Sequence, residues 1–416
     1  MQAGRVKYVP RHLGGTLRRA LRTFPAVLVT GARQSGKTTF LRQECGRTHA
    51  YVSLERPDVR ARATADPVGF LRDHPPPVIL DEIQYSPEIL HYIKDEIDSR
   101  RRPGQWLLTG SQSFDLMQGI SQTLAGRVAV LQLDPMSVRE ALGSPPLPIG
   151  TLLQQVFGAG PARRRLLPPR RDIDLADWLL RGGFPEPRLH PRVDRELWFS
   201  GYVATYLERD VRNLTQVGDL SAFGRFVQLV AARNGALLNM ADLGRDAGVT
   251  GPTAKHWLAV LEASQLVHLL RPYHRSFGKR IRKSPKLYVT DSGLASHLIG
   301  LHTRAAVMQG PSLGPLTEAA VLGEWLKAFR IHGLQSPLSY WRSSNGHEVD
   351  LVIEHDGRLF AIEVKATATP TPRHAEALVR WLAFAGRGAR AALACRVEES
   401  VTLRPGIRAV PWHLAW

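Results

Sequence analysis

Along the first third of the chain, apolar runs of strand length alternate with stretches whose apolar residues recur at helical spacing. Residues 25–30 (PAVLVT) form one such run, followed by a glycine-rich loop and a helix expected over 38–43. Further strands are expected at 48–54, 77–80, 105–111 and 128–133. A helix is expected over 83–98, with Ile89, Tyr92, Ile93 and Ile97 on one stripe; a lead-in helix carries Leu13, Leu17 and Leu21. Apolar strands separated by helices are the pattern of an α/β fold, a parallel sheet covered on both faces. The arginines of the lead-in helix are expected to be solvated.

The rhythm changes after 143, where the chain turns rich in Pro, Gly and Arg before helical spacing returns between 172 and 218. Three short helices at 220–232, 240–247 and 252–263 precede strands at 266–270 and 286–289, the order of a winged helix-turn-helix. The last region pairs a helix over 316–331 with strands at 338–342, 348–353 and 359–365. The expected division is 1–143, an α/β domain on a parallel sheet; 144–219, a linker and helical region; 220–300, the winged helix; and 301–416, a second α/β domain.

The candidate chemistry begins at Gly31-Ala32-Arg33-Gln34-Ser35-Gly36-Lys37-Thr38-Thr39, a GxxxxGK[ST] loop between a strand and a helix. Its backbone N–H groups would cradle phosphates, Lys37 would reach the β- and γ-phosphates, and Thr38 would hold Mg²⁺. The strand at 77–80 runs into Asp81 and Glu82, acids at the sheet edge where ligands of a parallel sheet collect. Asp81 is the second Mg²⁺-side ligand and Glu82 the base for an attacking water. Thr109 or Ser111 is a candidate γ-phosphate sensor or a plain strand-end residue. Arg127 is a candidate arginine for the γ-phosphate, in cis or across a subunit interface, or an ordinary surface arginine.

A second constellation lies in the last region. Asp350 lies on one edge of its hairpin strand, Glu363 and Lys365 share a face of the other, and Glu318 approaches from the preceding helix. Asp350 and Glu363, with the carbonyl of Val364, are placed to hold a divalent metal beside Lys365, the D…ExK arrangement of metal-dependent nucleases. A binding or structural use of the same hairpin stays open.

Charge adds a partner. Lys plus Arg number 55 against 37 acids, a formal net charge of +18, which favours a polyanion such as DNA. Lys255 and His256 lie on the exposed side of the third short helix. Arg271, Arg275, Lys279, Arg280, Arg282, Lys283 and Lys286 lie along the wing with no acid among them. Protein docking by the same module is the alternative. Two cysteines, Cys45 and Cys395, make neither a disulfide framework nor a zinc cluster. No apolar run is long enough to span a bilayer and no signal-peptide core precedes residue 25, so a cytoplasmic protein without a membrane partner is expected.

Together with the P-loop, the stretches 80–84 (LDEIQ), 108–111 (LTGS), 124–127 (LAGR), 182–186 (GGFPE), 285–291 (PKLYVTD), 348–350 (EVD) and 362–365 (IEVK) resemble a bacterial and archaeal family of AAA-type P-loop ATPases. The resemblance runs over nearly the whole chain. It implies an AAA core, a winged-helix region and a C-terminal domain similar to restriction-endonuclease folds.

The leading expectation is Mg²⁺-dependent ATP hydrolysis coupled to DNA binding or remodelling, by a homo-oligomer acting as a motor on duplex or branched DNA. The alternatives are an ATP-regulated, metal-dependent DNA nuclease, and a slow ATPase switch acting on a protein partner.

Overall fold

The computed structural model describes residues 8–111, 120, 123–158, 173–207, 220–274 and 283–413. The chain forms two compact units. One takes in the described residues up to 136 with 263–265 and 330–334; the other holds the rest.

The first unit is built on five strands: β1 (Ala26–Gly31), β2 (Ala50–Ser53), β3 (Val78–Asp81), β4 (Trp106–Ser111) and β5 (Val128–Gln132). They lie in the order β2-β3-β4-β1-β5, every pair parallel. Successive side chains point to opposite faces of a strand, so each apolar run feeds two layers. Leu28, Leu80 and Leu108 pack with Phe70, Ile93 and Ile97 on one face. Val27, Val29, Ile79 and Leu107 pack with Leu17, Phe40 and Leu41 on the other. Burial on both faces is what makes these strands read as unbroken apolar runs.

The helix expected over 83–98 is interrupted. A short 3-10 turn, Ile83–Tyr85, precedes the α-helix Ile89–Ser99. Pro87 lies between them; it has no backbone N–H to donate, so a continuous helix would lose a bond there.

In the second unit, the helices Leu220–Ala232, Met240–Ala247 and Gly251–Ala263 precede an antiparallel ladder of β6 (Val267–Leu270) and β7 (Lys286–Val289). Trp257 packs edge-on against Phe223 and Phe226 and closes the helical core. Six further strands follow: β8 (Leu338–Arg342), β9 (Glu348–His355), β10 (Arg358–Val364), β11 (Arg390–Cys395), β12 (Val401–Arg404) and β13 (Ile407–Pro411). Their order is β12-β13-β11-β10-β9-β8, with β10, β11 and β13 parallel and the others antiparallel. Leu378 and Trp381 of the helix Glu376–Ala385 cover one face against Trp341, Val352 and Ala361.

The small ladder is joined to this sheet. Tyr340 of β8 donates its N–H to the carbonyl of Arg271 at 3.0 Å, and its hydroxyl donates to the carbonyl of Ser284 at 2.7 Å. Apart from 263–265 and 330–334, the described residues of the regions expected as 144–219, 220–300 and 301–416 lie in this second unit. Among the described residues, no helix is long and apolar enough to cross a membrane.

Candidate functional site

β1 ends in the glycine-rich loop. A Cβ on Gly31 would meet the carbonyl oxygen of Leu133 at 2.3 Å, so a side chain there would displace the backbone that shapes the loop. Gly36 starts the helix Lys37–Cys45 with φ 93°, in the left-handed region that favours glycine. Lys37 is buried and donates to the carbonyls of Gly31 and Ala32 at 3.0 and 3.2 Å. Burial lowers its pKa, against the pull of Glu82 and Asp81; the nearby Arg33 lowers it further. Gln34 and Thr39 are exposed on the rim, whereas Ala32 is buried.

The acid from β3 faces this loop. Asp81 accepts hydroxyl hydrogen bonds from Thr38 (3.0 and 2.9 Å to its two oxygens), from Tyr51 of β2 (2.7 Å) and from Thr109 of β4. β4 lies between β3 and β1, which places Thr109 between the acid strand and the loop strand. Thr109 Oγ1 also accepts the N–H of Glu82 at 3.0 Å. Glu82 sits at φ 60°, ψ 52°, a left-handed conformation that costs a non-glycine residue about 1 kcal/mol or more and gathers at functional sites. Its carboxylate accepts from the Gln84 amide. The backbone of Ser111 ends β4, and its side chain lies outside the described residues.

These residues fit a magnesium-bound triphosphate. Ser35 Oγ is buried without a hydrogen-bond partner, an orphan in a loop whose remaining groups suit phosphate oxygens. Thr38 and Asp81, in contact with each other, are the pair that would hold Mg²⁺.

Two residues reach this site with no motif to announce them. Arg11, expected to be solvated, is buried; its guanidinium donates to the carbonyl of Ser35 at 2.8 Å and to that of Asp134 at 2.6 Å. It braces the loop from behind. Tyr51 is the other: burial, then the bond to Asp81, raises its phenol pKa to about 12 and keeps it a donor. Alternation on β2 was the available signal for Tyr51; for Arg11 there was none.

Arg127 is not brought to the loop of its own chain. Its carbonyl pairs with the N–H of Ala26 at the start of β1, roughly 17 Å of extended strand from Gly31. Its guanidinium makes a two-pronged ion pair with Asp98, at 2.6 and 2.9 Å. Within its own chain Arg127 stands at the end of the sheet opposite the loop.

The second constellation is also assembled, with an addition. Asp350 accepts the N–H of Val364 at 2.8 Å. Lys365 Nζ lies 2.6 Å from Glu363 Oε1, while Glu363 Oε2 is buried with no partner. Burial, then repulsion from Asp350, raises Glu363 to about 8 and Glu318 to about 7; burial also raises Asp350. Lys286, grouped with the wing cations in the sequence, is instead buried among these acids. Its Nζ lies 2.9 Å from Glu318, 2.5 Å from Glu348 and 3.6 Å from Asp350. Tyr288 donates to Glu318 beside it. Burial opposes the lysine's charge, but the three carboxylates outweigh it and its pKa is raised.

Of the candidate DNA-facing residues, Lys255, His256, Arg271 and Lys283 are exposed. Arg275, Lys279, Arg280 and Arg282 lie outside the described residues.

A family profile described as an AAA domain matches residues 23–142, and two profiles described as domains of unknown function, DUF8612 and DUF4143, match 172–305 and 313–415. Rv2008c of Mycobacterium tuberculosis and Mb2031c of Mycobacterium bovis, both described as uncharacterized proteins, are 34% identical over 364 residues, covering 87% of this chain and 75% of theirs. Among solved structures, the Walker-type ATPase paby2304 of Pyrococcus abyssi is similar with a TM-score of 0.45 and 14% identity, over 69% of this chain and 95% of that one. The chain belongs to the family of these two mycobacterial proteins, with an AAA-type domain over residues 23–142.

Proposed function

We propose that the protein hydrolyses ATP with Mg²⁺ and couples turnover to DNA. The observation that carries the first half is the convergence of buried Lys37, the Thr38–Asp81 pair and the orphaned Ser35 Oγ on one loop. Lys37 leaves its two carbonyl partners for the β- and γ-phosphates, trading neutral acceptors for charged ones. Thr38 and Asp81 would hold Mg²⁺, which would supply positive charge against the phosphates. Glu82 orients a water for attack on the γ-phosphorus and accepts its proton; the bond to the β–γ bridging oxygen breaks, releasing ADP and phosphate. Thr109 holds both Asp81 and the backbone of Glu82, so it aligns the acid with the base. Arg127, at the opposite edge of the sheet, serves a γ-phosphate only from a neighbouring subunit, which makes a homo-oligomer part of this reading.

The DNA half rests on the charge of +18 and on exposed Lys255, His256, Arg271 and Lys283 around the helices and ladder of residues 220–300, read as a winged helix. Steady-state ATP hydrolysis tests both halves, comparing no nucleic acid, single strands, duplex and a four-way junction, with Lys37→Ala and Glu82→Gln as controls. Stimulation by one DNA form supports the coupling. No stimulation by any form sinks it and leaves an ATPase switch directed at a protein.

A further inference from the structure

The hairpin of β9 and β10 has the acids of a divalent-metal site, and a lysine from elsewhere in the fold lies against one of them, Asp350, and against two acids beside it. Lys286 reaches from β7 to three carboxylates on two other elements: Glu318 on the helix Leu313–Arg330, and Glu348 and Asp350 on β9. The ring of Tyr340 on β8 lies 5.8 Å from the same ammonium, and the lysine side chain is only 4% exposed. Its backbone is fixed by pairing with Leu270 and bridging to Leu237, so the side chain enters from a rigid strand.

A divalent ion held by oxygens at roughly 2.0–2.6 Å would have to share these carboxylates with an ammonium already within hydrogen-bond reach of two of them. An ammonium hydrogen-bonded to two of these carboxylates competes with a divalent ion for the same oxygens and repels it. Much of the remaining coordination is also committed. Asp350 accepts from Val364, Glu318 accepts from Tyr288, and Lys365 engages one oxygen of Glu363, leaving only Oε2 without a partner. Among the described residues, no group of three or more His, Cys, Asp or Glu side chains is spaced to hold a metal ion. The residues therefore do not fit the metal that a nuclease-like fold implies.

We propose that Lys286 is the resident cation of this cluster, which is a clasp binding β7 to the C-terminal sheet and not a divalent-metal site. The clasp takes three acids because a buried ammonium on a fixed strand is tolerated only when several carboxylates offset its lost hydration. It is independent of the ATPase reading, since it involves no residue of the P-loop.

The test is Mn²⁺ binding to the nucleotide-free, full-length protein, followed by electron paramagnetic resonance of the free ion. Wild type and Asp350→Asn should bind the same amount, because any contribution of the P-loop is common to both. Lys286→Met should gain one Mn²⁺ per chain, and Lys286→Met with Asp350→Asn should lose it again. Mn²⁺ bound by wild type and lost in Asp350→Asn overturns the proposal, as does a folded Lys286→Met that gains none. Acylation of the wild-type protein, read peptide by peptide in a mass spectrometer, decides the matter should Lys286→Met fail to fold. Lys286 protected equally with and without excess Mn²⁺ supports the clasp; labelling that appears only with Mn²⁺ refutes it.

Discussion

The P-loop and the C-terminal cluster are made from the same materials, a buried lysine and carboxylates beside strand ends, yet they are in opposite electrostatic conditions. At the P-loop, Lys37 rests on neutral carbonyls, and Asp81 is held by three hydroxyls. Neither charge is spent on the other, so both remain available to a charged ligand. In the C-terminal cluster, Lys286 already lies against the acids it neutralises. A motif lists the residues a site owns. Whether those charges are free depends on what else the fold brings to them.

The sharpest way to break this comparison is to remove charge from the open site. Lys37→Ala should lower ATP turnover roughly a hundred- to a thousandfold, the scale of losing one electrostatic donor to a transition state, measured by phosphate release. Glu82→Gln should lose turnover by about the same factor while keeping nucleotide affinity, because it keeps the shape and loses the base.

Thermal unfolding without nucleotide separates the two lysines by sign. Lys286→Met leaves buried acids without their cation and should cost about 3–5 kcal/mol, a large fall in Tm. Lys37→Met removes a buried charge whose hydrogen bonds go to carbonyls and whose burial outweighs the pull of Glu82 and Asp81, so Tm should stay level or rise. Equal falls in both variants would erase the distinction between open and closed sites.

The clasp should also show in stability against pH. Glu318 and Glu363 have folded pKa values of about 7 and about 8, above the ordinary 4.5. A carboxyl whose pKa is raised on folding holds its proton more tightly in the folded state, so stability falls as pH rises from 4.5 through the raised values. The groups facing this pair are Asp350, Glu348, Lys286, Lys365 and Tyr288, and the loss belongs to the cluster as a whole. Glu363→Gln should flatten the upper part of the decline; an unchanged slope would remove Glu363 from it.

Smaller effects probe the supports. Arg11→Ala releases the brace on the Ser35 carbonyl and should weaken ATP turnover about tenfold, since small misplacements of a phosphate loop are costly. Lys255→Ala should lower the slope of log affinity for duplex DNA against log salt by about 0.9, the share of one phosphate contact. An unchanged slope would take that helix off the DNA.

The P-loop was legible because its job is local. A turn around one phosphate must be built from consecutive residues, so Gly31, Gly36, Lys37 and Thr38 appear as a spaced word, and the strands beside it announce themselves by apolar runs. Asp81 and Glu82 were legible for a related reason: they end a strand whose edge a parallel sheet always presents to ligand. The helix at 83–98 was only half readable, since periodicity carries across a short interruption such as the one near Pro87.

The remaining features depend on partners distant in sequence. Arg11 is one of many arginines until Ser35 and Asp134 offer it carbonyls. Arg127 looks like a γ-phosphate arginine until strand direction places it at the far edge of the sheet. Lys286 reads as a wing cation because its neighbours in sequence are basic; its neighbours in space are acids. The sequence by itself determined the glycine-rich loop, the acids at the end of the neighbouring strand and the alternating α/β pattern, all of which are written in spacing and periodicity. Only the tertiary structure decided which charges are free and which are neutralised, because Coulomb energy in a buried setting depends on distances between residues that spacing along the chain does not encode.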